Sequence, residues 1–347
     1  MKQAKILLNI KNFPKNGDIM RKTLLGAFFV LLNIHTIKCQ DEFGPINSGV
    51  ANFLMFPTDA RSVAMGGTGV ALTGNSDAIF YNASTVLVSD KSAGINYTFS
   101  PRMREIESGY YFNSVGGFYK INKRNAILAG FRHYKYPQID ISENGKTAIS
   151  SISPAEWVID VGYAYQIIPN LSAALVTKFI HSDMGTPGDA KAANTFACDF
   201  GVTYKKDISG MDGAYWVAGF NLSNIGSGLK YLKQTDPLPA YGKIGGSVNL
   251  PFSTTHRFIV TADLGYRFAP TDVRSLNIST GAEYTYVEHF SIRGGYHYGN
   301  RNKGDESYAT AGAGMNYYGF NIGFSWLFAN KDCALRNTYA LSLGYSF

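Results

Sequence analysis

The residue types that could do chemistry are present, but their spacing fits no familiar catalytic site. The glycine-rich run at residues 65–69 resembles part of a phosphate-binding loop. Such a loop needs a Gly-Lys-Ser/Thr continuation between a strand and a helix, whereas Val70 and Ala71 follow here. The run is therefore interpreted as small residues that allow close packing, and no nucleotide site is expected.

Histidine spacing also argues against a metal centre. Five histidines lie beyond residue 40, and no two of them have the spacing of a ligand pair. His289 and His297 fall on one predicted strand stretch, where interfacial or interior positions explain them. We expect no metal and no cofactor. The five histidines are His133, His181, His256, His289 and His297.

A hydrolytic site is not signalled either. No Gly-x-Ser-x-Gly nucleophile motif occurs in the chain. A barrel phospholipase would have to bring Ser, His and an acid or carboxamide together from separate strands, which sequence alone leaves open. The charged cluster Arg102, Arg104, Glu105 and Glu107 is interpreted as a solvated loop tip. We therefore expect a protein that is not an enzyme.

The first predicted element of the sequence is an export leader, residues 1–39. Arg21 and Lys22 precede an apolar run of 11 residues, 24–34, which suits a signal peptide and is too short to span a bilayer as a helix. Since residues 1–19 are polar, Met20 is the expected true start, with the signal peptide at 20–39. Cleavage is expected after Cys39; lipidation of Cys39 is the alternative.

The excess of basic over acidic residues in the chain lies in this leader. Residues 1–39 hold seven Lys or Arg and one acid, Asp18. Without them the 32 basic and 25 acidic residues of the chain become 25 and 24, a net charge of +1. A nucleic-acid partner is therefore not expected. Cys198 and Cys333 remain, and two ordinary strand cysteines are preferred over a disulfide.

From about residue 91 the sequence consists of 9–14-residue stretches separated by polar turns. Their length suits tilted membrane-spanning strands better than the ~5–6 residues of soluble strands. Strand edges cannot stay unpaired in lipid, so the strands must close into a ring. The fourteen stretches lie at about 91–100, 108–120, 124–135, 155–168, 171–181, 193–206, 213–225, 240–251, 255–268, 274–286, 289–299, 307–318, 319–328 and 338–347.

Alternation supports this all-β fold, a 14-stranded antiparallel transmembrane barrel at 91–347. In one stretch Val260, Leu264 and Tyr266 share a face, while Thr261 and Asp263 point the other way. Short connectors such as 168–170 and 287–288 are predicted periplasmic turns. The longer ones, rich in Gly, Asn, Asp, Lys and Pro, are predicted extracellular loops: 136–154, 182–192, 226–239, 300–306 and 329–337.

The last strand gives the sharpest single signal. Tyr345 and Phe347 continue an apolar alternation to the final residue of the sequence. A terminal aromatic residue after such a strand resembles the signal read by the outer-membrane barrel assembly machinery. We therefore predict that these two residues direct membrane insertion.

Residues 40–90 do not alternate and are predicted to form a short helical plug or hatch. Thr58 or Asp59 can cap a helix that runs through Ala64, and Gly66-Gly67 can end it. A fourteen-stranded barrel has a lumen wider than its own side chains fill. Residues 40–90 are therefore predicted to fill the lumen. The motif residues of this segment are Pro57, Asp59, Ala60, Arg61, Met65, Gly66, Gly67, Gly69, Asp77 and Asn82.

The run at 56–71 closely resembles the opening of the PorV/PorQ family of the type IX secretion system. The run 77–82, Asp-Ala-Ile-Phe-Tyr-Asn, is similar to a second stretch of that family, although Ala83 stands where the family has proline. The wider relatives are FadL-type transporters with fourteen strands and an N-terminal hatch. The resemblance is specific over about 50–85 and architectural beyond.

This resemblance implies an outer-membrane protein of the Bacteroidota type. It would bind secreted cargo proteins through the cargo's C-terminal domain, after passage through the type IX translocon, and deliver them to the attachment complex. Other expected partners are outer-membrane lipid and the barrel assembly machinery. The alternative hypothesis is a FadL-like channel for hydrophobic small molecules. A channel needs a lateral gap in the wall, whereas a shuttle needs a blocked lumen and an apolar or strand-edge surface on its outer loops.

Overall fold

A computed structural model describes residues 50–142, 148–185, 192–231, 234–331 and 333–347. The predicted leader, the start at Met20 and the alternative roles of Cys39 lie outside these residues. Within the described ranges no helix is long and apolar enough to cross a membrane.

Fourteen antiparallel strands close into a barrel, and all fourteen correspond to the predicted stretches. Two further pairs, β4–β5 and β10–β11, form hairpins within loops. In chain order the strands are β1 (Ala93–Pro101), β2 (Tyr111–Asn122), β3 (Asn125–Lys135), β4 (Ile139–Ser142), β5 (Ala148–Ile152), β6 (Ala155–Ile168), β7 (Leu171–Asp183), β8 (Ala193–Asp207), β9 (Tyr215–Gly226), β10 (Leu229–Tyr231), β11 (Gln234–Asp236), β12 (Tyr241–Pro251), β13 (His256–Arg267), β14 (Ser275–Tyr286), β15 (Phe290–Tyr298), β16 (Tyr308–Tyr317), β17 (Phe320–Phe328) and β18 (Tyr339–Ser346).

The ring closes between its first and last strands. Gly94 of β1 lies opposite Ser346 of β18, and the ladder runs on to Phe99 and Leu341. The carbonyl of Phe347 accepts hydrogen bonds from the backbone N–H groups of Ser92 (2.6 Å) and Ala93 (3.0 Å). The first and last strands are thereby joined by a hydrogen-bonded ladder, as a closed wall in lipid requires.

The period-two pattern separates lipid-facing from lumen-facing residues. On β13, Leu264 and Tyr266 are exposed on the outer wall, while Thr261 and Asp263 are buried inside. If the two faces of β13 were exchanged, the carboxylate of Asp263 would lie against lipid. The predicted alternation of this strand is confirmed, and polar side chains from many strands converge on the lumen.

The two ends of the barrel differ. Six connections, among them Pro169-Asn170 between β6 and β7, join strands at the end where β1 begins and β18 finishes. These are mostly short, and by the usual asymmetry of bacterial barrels they face the periplasm. The long connections occupy the other, extracellular end.

Two predicted loops contain more structure than the sequence indicated. The connection 136–154 carries the β4–β5 hairpin, and 227–240 carries β10–β11. In the second connection Leu229 and Leu238 are buried against residues of the lumen wall. This loop therefore folds inward over the lumen, because its two leucines find apolar cover there.

The described part of the plug contains only short helical elements. Three 3-10 segments are Asn52–Met55, Ala78–Phe80 and Ala83–Val88, and the α-helix α1 spans Ala60–Ala64. The predicted helix through Ala64 is thus confirmed, as is its small size. Two more 3-10 turns lie in extracellular loops, at Thr271–Val273 and Arg301–Lys303.

The cysteines differ from the expectation of two strand residues. Cys198 lies on β8 and is exposed on its outer face, whereas Cys333 is buried in the connection between β17 and β18. No disulfide joins them in the described part of the chain. The prediction failed for Cys333 because this residue lies outside the strands, where its thiol hydrogen-bonds to Glu306.

Candidate functional site

The lumen of the barrel is filled by the plug over most of its height. Phe53 and Leu54 pack in the extracellular half against Phe112 and Tyr134 of the wall, joined by the inward loop residue Leu229. Burial of such a cluster removes apolar surface from water at ~25 cal/mol per Å². The extracellular half of the lumen is therefore closed by apolar contacts.

The helix α1 is fixed at both ends. The carboxylate of Asp59 accepts a hydrogen bond from the N–H of Ser62 (2.9 Å), as an N-cap does. The N–H of Ala60 donates to the hydroxyl of Ser342 on β18 (2.8 Å). At the other end Gly66 adopts φ of 73°, which stops the helix. The predicted cap and stop residues both have these roles.

Arg61 anchors the plug to the wall through an ion trio. Its guanidinium donates to both carboxylate oxygens of Glu283 on β14, at 2.9 and 2.8 Å. Arg293 of β15 donates to the same carboxylate at 2.6 Å. Glu283 is buried with 3 % of its side chain exposed, so removal of one partner would leave an uncompensated charge in the lumen.

The segment after α1 is held by backbone groups. The carboxylate of Asp263 on β13 accepts from the N–H groups of Gly69 (2.8 Å) and Val70 (3.2 Å). A Cβ atom at Gly69 would lie 2.3 Å from the ring of Tyr81. The glycine therefore serves tight packing, as the sequence interpretation of this run predicted, and phosphate binding has no support.

Asn82 ties the second half of the plug to the first and to the wall. Its amide nitrogen lies within hydrogen-bond distance of the carbonyls of Val70 (2.9 Å) and Val202 (3.1 Å) and of the hydroxyl of Thr203 (3.0 Å). Its amide oxygen accepts from the hydroxyl of Ser84 at 2.6 Å. The turn is thus built without the proline that the resembling family has at the next position.

Asp77 is buried beside β1 and β2. Its carboxylate accepts from the amide of Asn96 at 2.5 Å, and its other oxygen has no hydrogen-bond partner. Burial raises the pKa of Asp77 well above its ordinary value; the neighbouring Asp59 raises the pKa further, and the bond from Asn96 opposes this. The carboxyl is therefore stabilised in its neutral form.

A ring of inward-facing glycines lets the plug approach the wall backbone. A Cβ at Gly295 would lie 2.2 Å from the Gly66 nitrogen, and one at Gly201 would lie 2.3 Å from the Asn82 amide oxygen. Real Cβ atoms are never this close to such neighbours, so these positions need glycine. We call the set the glycine belt: Gly94, Gly116, Gly130, Gly201, Gly219, Gly281, Gly295 and Gly312.

A second buried ion cluster crosses four strands of the opposite wall. Arg132 donates to Asp160 at 2.9 Å and to the plug carbonyl of Leu54 at 3.1 Å. Lys178 pairs with Asp199 at 2.6 Å. Sequence reasoning missed this cluster and the Glu283 trio. The available signal was a charged residue on the inward phase of a strand, such as Asp160 between two lipid-facing residues.

Arg102 corrects the expectation for the first extracellular loop. Arg104, Glu105 and Glu107 are exposed as predicted, but only 4 % of Arg102 is exposed. Its guanidinium lies over the ring of Phe56 at 3.9 Å, a favourable cation–π contact. The residue therefore packs against the plug and not in solvent, because an aromatic face from the plug is available to it.

The structure also brings a serine, a histidine and an acid together. Ser279 Oγ lies 2.8 Å from His297 Nδ1, and Asp305 Oδ1 lies 2.9 Å from His297 Nε2. Ser279 is buried, and Gly67 of the plug covers it. The order of ring nitrogens is reversed from that of a hydrolase triad. The chain of bonds connects β14, β15 and the 299–307 loop beneath the plug.

The remaining predicted site residues take these positions. Pro57 lies against Gly67, and Met65 is fully buried beside Gly281 of β14. Tyr345 is on the outer face of β18, where its ring contacts Phe320 (4.9 Å between centroids). The plug motif is therefore brought together in the lumen, whereas the terminal aromatic residues lie apart from it on the wall. In the described ranges no three His, Cys, Asp or Glu side chains form a metal site.

A family model for the type IX secretion system protein PorV matches residues 39–274. The chain belongs to the PorV family. It is a type IX secretion system protein of the outer membrane, and its fourteen-stranded barrel has that location. No curated relative matches the chain in sequence.

Solved structures with the same fold come from hydrocarbon transport. The toluene transporter TodX of Pseudomonas putida has a TM-score of 0.61 and 13 % identity, covering 84 % of this chain and 99 % of that one. TbuX of Ralstonia pickettii, also a toluene transporter, gives 0.56 and 15 %, covering 85 % and 99 %. A FadL homologue of Pseudomonas aeruginosa gives 0.50 and 11 %, covering 84 % and 99 %. At these identities the likeness shows the fold alone.

Proposed function

We propose that this PorV-family protein binds secreted cargo at its extracellular loops and passes it to the attachment machinery at the cell surface. The observation that carries the proposal is the closed lumen. In its extracellular half Phe53, Leu54 and Leu229 pack against the wall at β2, β3 and β6–β8, and ladders of hydrogen bonds join all fourteen wall strands. A surface role for the loops fits this arrangement better than passage of a molecule through the barrel.

The β4–β5 hairpin supports the cargo-binding part. It stands apart from the wall sheet as a two-stranded sheet of its own, so both strands keep an edge with hydrogen-bonding groups. Ile139 at its base is exposed by 51 %. An extended segment or the edge of a β-domain can add to such a strand through main-chain hydrogen bonds. We therefore assign cargo binding to this hairpin.

The test is co-purification from the outer membrane. Full-length protein should recover secreted proteins together with the translocon. Replacement of residues 138–153 by a short Gly-Ser linker should abolish recovery of cargo while the barrel still inserts. The matched control replaces the periplasmic connection 208–214 in the same way and should keep the cargo. Recovery of bound fatty acid with no protein partner would contradict the proposal.

The second candidate is a channel for small hydrophobic molecules, which the fold of the two toluene transporters favours. Its requirement is a gap between wall strands. The neighbouring strands β2 and β3 pair from Tyr111 to Asn122, with one irregularity near the periplasmic end. Uptake of toluene by vesicles containing the purified protein, above the rate for empty vesicles, would favour the channel over the shuttle.

A further inference from the structure

We propose that the periplasmic mouth of the barrel contains a binding site for a carboxylate-bearing ligand, centred on Arg293. The site is a cavity of about 420 Å³ between the plug and the strands β13–β18 and β1. This volume is within the range of small-molecule sites. The cavity is separate from the extracellular loops to which cargo binding is assigned.

Arg293 supplies the recognition group. Its side chain is 8 % exposed, and it lines the cavity. Only its Nε has a hydrogen-bond partner, Glu283, among the described residues, so the four N–H bonds of its two terminal nitrogens remain unused. A buried guanidinium in this state favours an acceptor that can receive two parallel hydrogen bonds, and a carboxylate has that geometry.

Arg293 is the member of the Arg61–Glu283–Arg293 trio that has donors to offer a ligand. Arg61 and Arg293 share the single carboxylate of Glu283, which leaves one positive charge in excess in this trio. Arg61 is otherwise occupied, since its third nitrogen donates to the carbonyl of Thr73 at 2.9 Å. Asp59 lies close enough to Arg61 to offset its charge, so the donors that remain for a ligand are those of Arg293. A bound carboxylate would accept hydrogen bonds from them in a site partly removed from water.

The other charged residues of the cavity are of both signs, so the arginine fork and not a net positive charge selects the ligand. Asp59 accepts from the Ser62 N–H and the Asn75 amide, and Asp77 accepts from Asn96. At the mouth, Arg257 and Glu288 pair with each other at 3.0 Å. Lys91 and Asp90 add one charge of each sign to the lining. The cavity thus presents one buried fork of donors among charges that largely balance.

The part of the ligand beyond its carboxylate would contact side-chain amides of the cavity wall. Asn316 of β16 and Asn321 of β17 line the cavity at the periplasmic ends of those strands. The terminal nitrogens of Arg293 rest against Gly314, where a Cβ would lie 2.4 Å from one of them. The ligand class is therefore a small organic carboxylate with a polar body. Its source is either a free carboxylic acid or the C-terminal end of a periplasmic polypeptide.

Isothermal titration of the purified full chain in detergent tests the site. The probes are succinate, acetyl-trialanine with a free C-terminal carboxylate, and the same peptide as its amide. We expect saturable binding of a carboxylate probe with a Kd at or below ~1 mM. Arg293→Gln should weaken it at least ~10-fold. The control Arg124→Gln, on an exposed periplasmic turn outside the cavity, should leave it unchanged.

The probes distinguish the two sources, since binding of succinate alone supports a free acid, and binding of the peptide acid without its amide supports a polypeptide end. Asn316→Leu changes the cavity wall without altering its charges and should also weaken binding. It therefore keeps the test valid if Arg293→Gln fails to fold. Absence of saturable binding by the wild-type protein, or equal affinity in both cavity variants, would overturn the proposal.

Discussion

At the scale of single residues, Asn82 shows how one side chain holds the plug. Its amide bonds the first half of the plug at Val70 and the wall at Val202 and Thr203. The bonds to Val70 and Thr203 are buried, so a lost donor leaves acceptors unsatisfied away from water. The motif in the sequence suggested that Asn82 matters, but not which groups of the wall it contacts. Those wall partners lie more than 100 residues away in β8.

Asn82→Ala should therefore lower the free energy of unfolding by about 2 kcal/mol. Urea unfolding of the protein refolded in detergent measures this. Asn170→Ala removes an exposed asparagine from a periplasmic turn and should change the value by less than ~0.5 kcal/mol. Equal effects of the two substitutions would refute the role given to Asn82.

Asp77 should make the stability of the plug depend on pH. Because burial raises its pKa in the folded protein, its contribution is complete below the ordinary pKa of ~4 and is lost as pH rises through the folded value. Asp77→Asn removes this titration. We expect the wild-type urea midpoint to fall between pH 4 and pH 8 by more than that of the variant. The same slope in both proteins would contradict the assignment.

At the scale of elements, the sequence predicted the wall far better than its contents. The two-residue period of the sequence predicts which residues of β13 face inward. It does not predict which inward residues of other strands they contact. The pairing of Asp263 with Gly69 and Val70, the inward fold of Leu229, and the buried state of Arg102 each depend on such distant neighbours. Local pattern contains no information about them.

The glycine belt gives a sharp test at this scale. Gly295→Ala would place a methyl group 2.2 Å from the plug backbone, whereas Gly294→Ala, one residue earlier on β15, meets nothing nearer than 3.8 Å. Overpacking of this kind costs about 1–3 kcal/mol or displaces the plug. Ion conductance in planar bilayers should rise for Gly295→Ala and stay at the wild-type level for Gly294→Ala. Low conductance in both would show that the plug tolerates the change.

At the scale of the whole molecule, we propose that Phe347 acts as an assembly signal, a role that its contacts in the folded barrel do not reveal. The side chain of Phe347 is 63 % exposed, while its carbonyl completes the seam with Ser92 and Ala93. Phe347→Ala keeps that carbonyl and should change stability in detergent by less than ~0.5 kcal/mol. If the residue is an assembly signal, the amount in the outer membrane should fall severalfold.

The control for that experiment is Tyr318→Ala, which removes another exposed aromatic side chain from the same end of the barrel. Quantification of the outer-membrane fraction by immunoblot should show normal amounts of this variant. A parallel loss for Tyr318→Ala would mean that exposed aromatic residues at this end matter in general, and that the final position has no special role.

The closure of β1 against β18 has a consequence for the order of events during biogenesis. The plug precedes β1 in the chain, and it lies inside a ring that only the final strand completes. Its contacts with the glycine belt are too close for a folded plug to slide in along a finished wall. The plug must therefore wait in place while thirteen strands assemble around it. The last strand then locks it in as it joins the first.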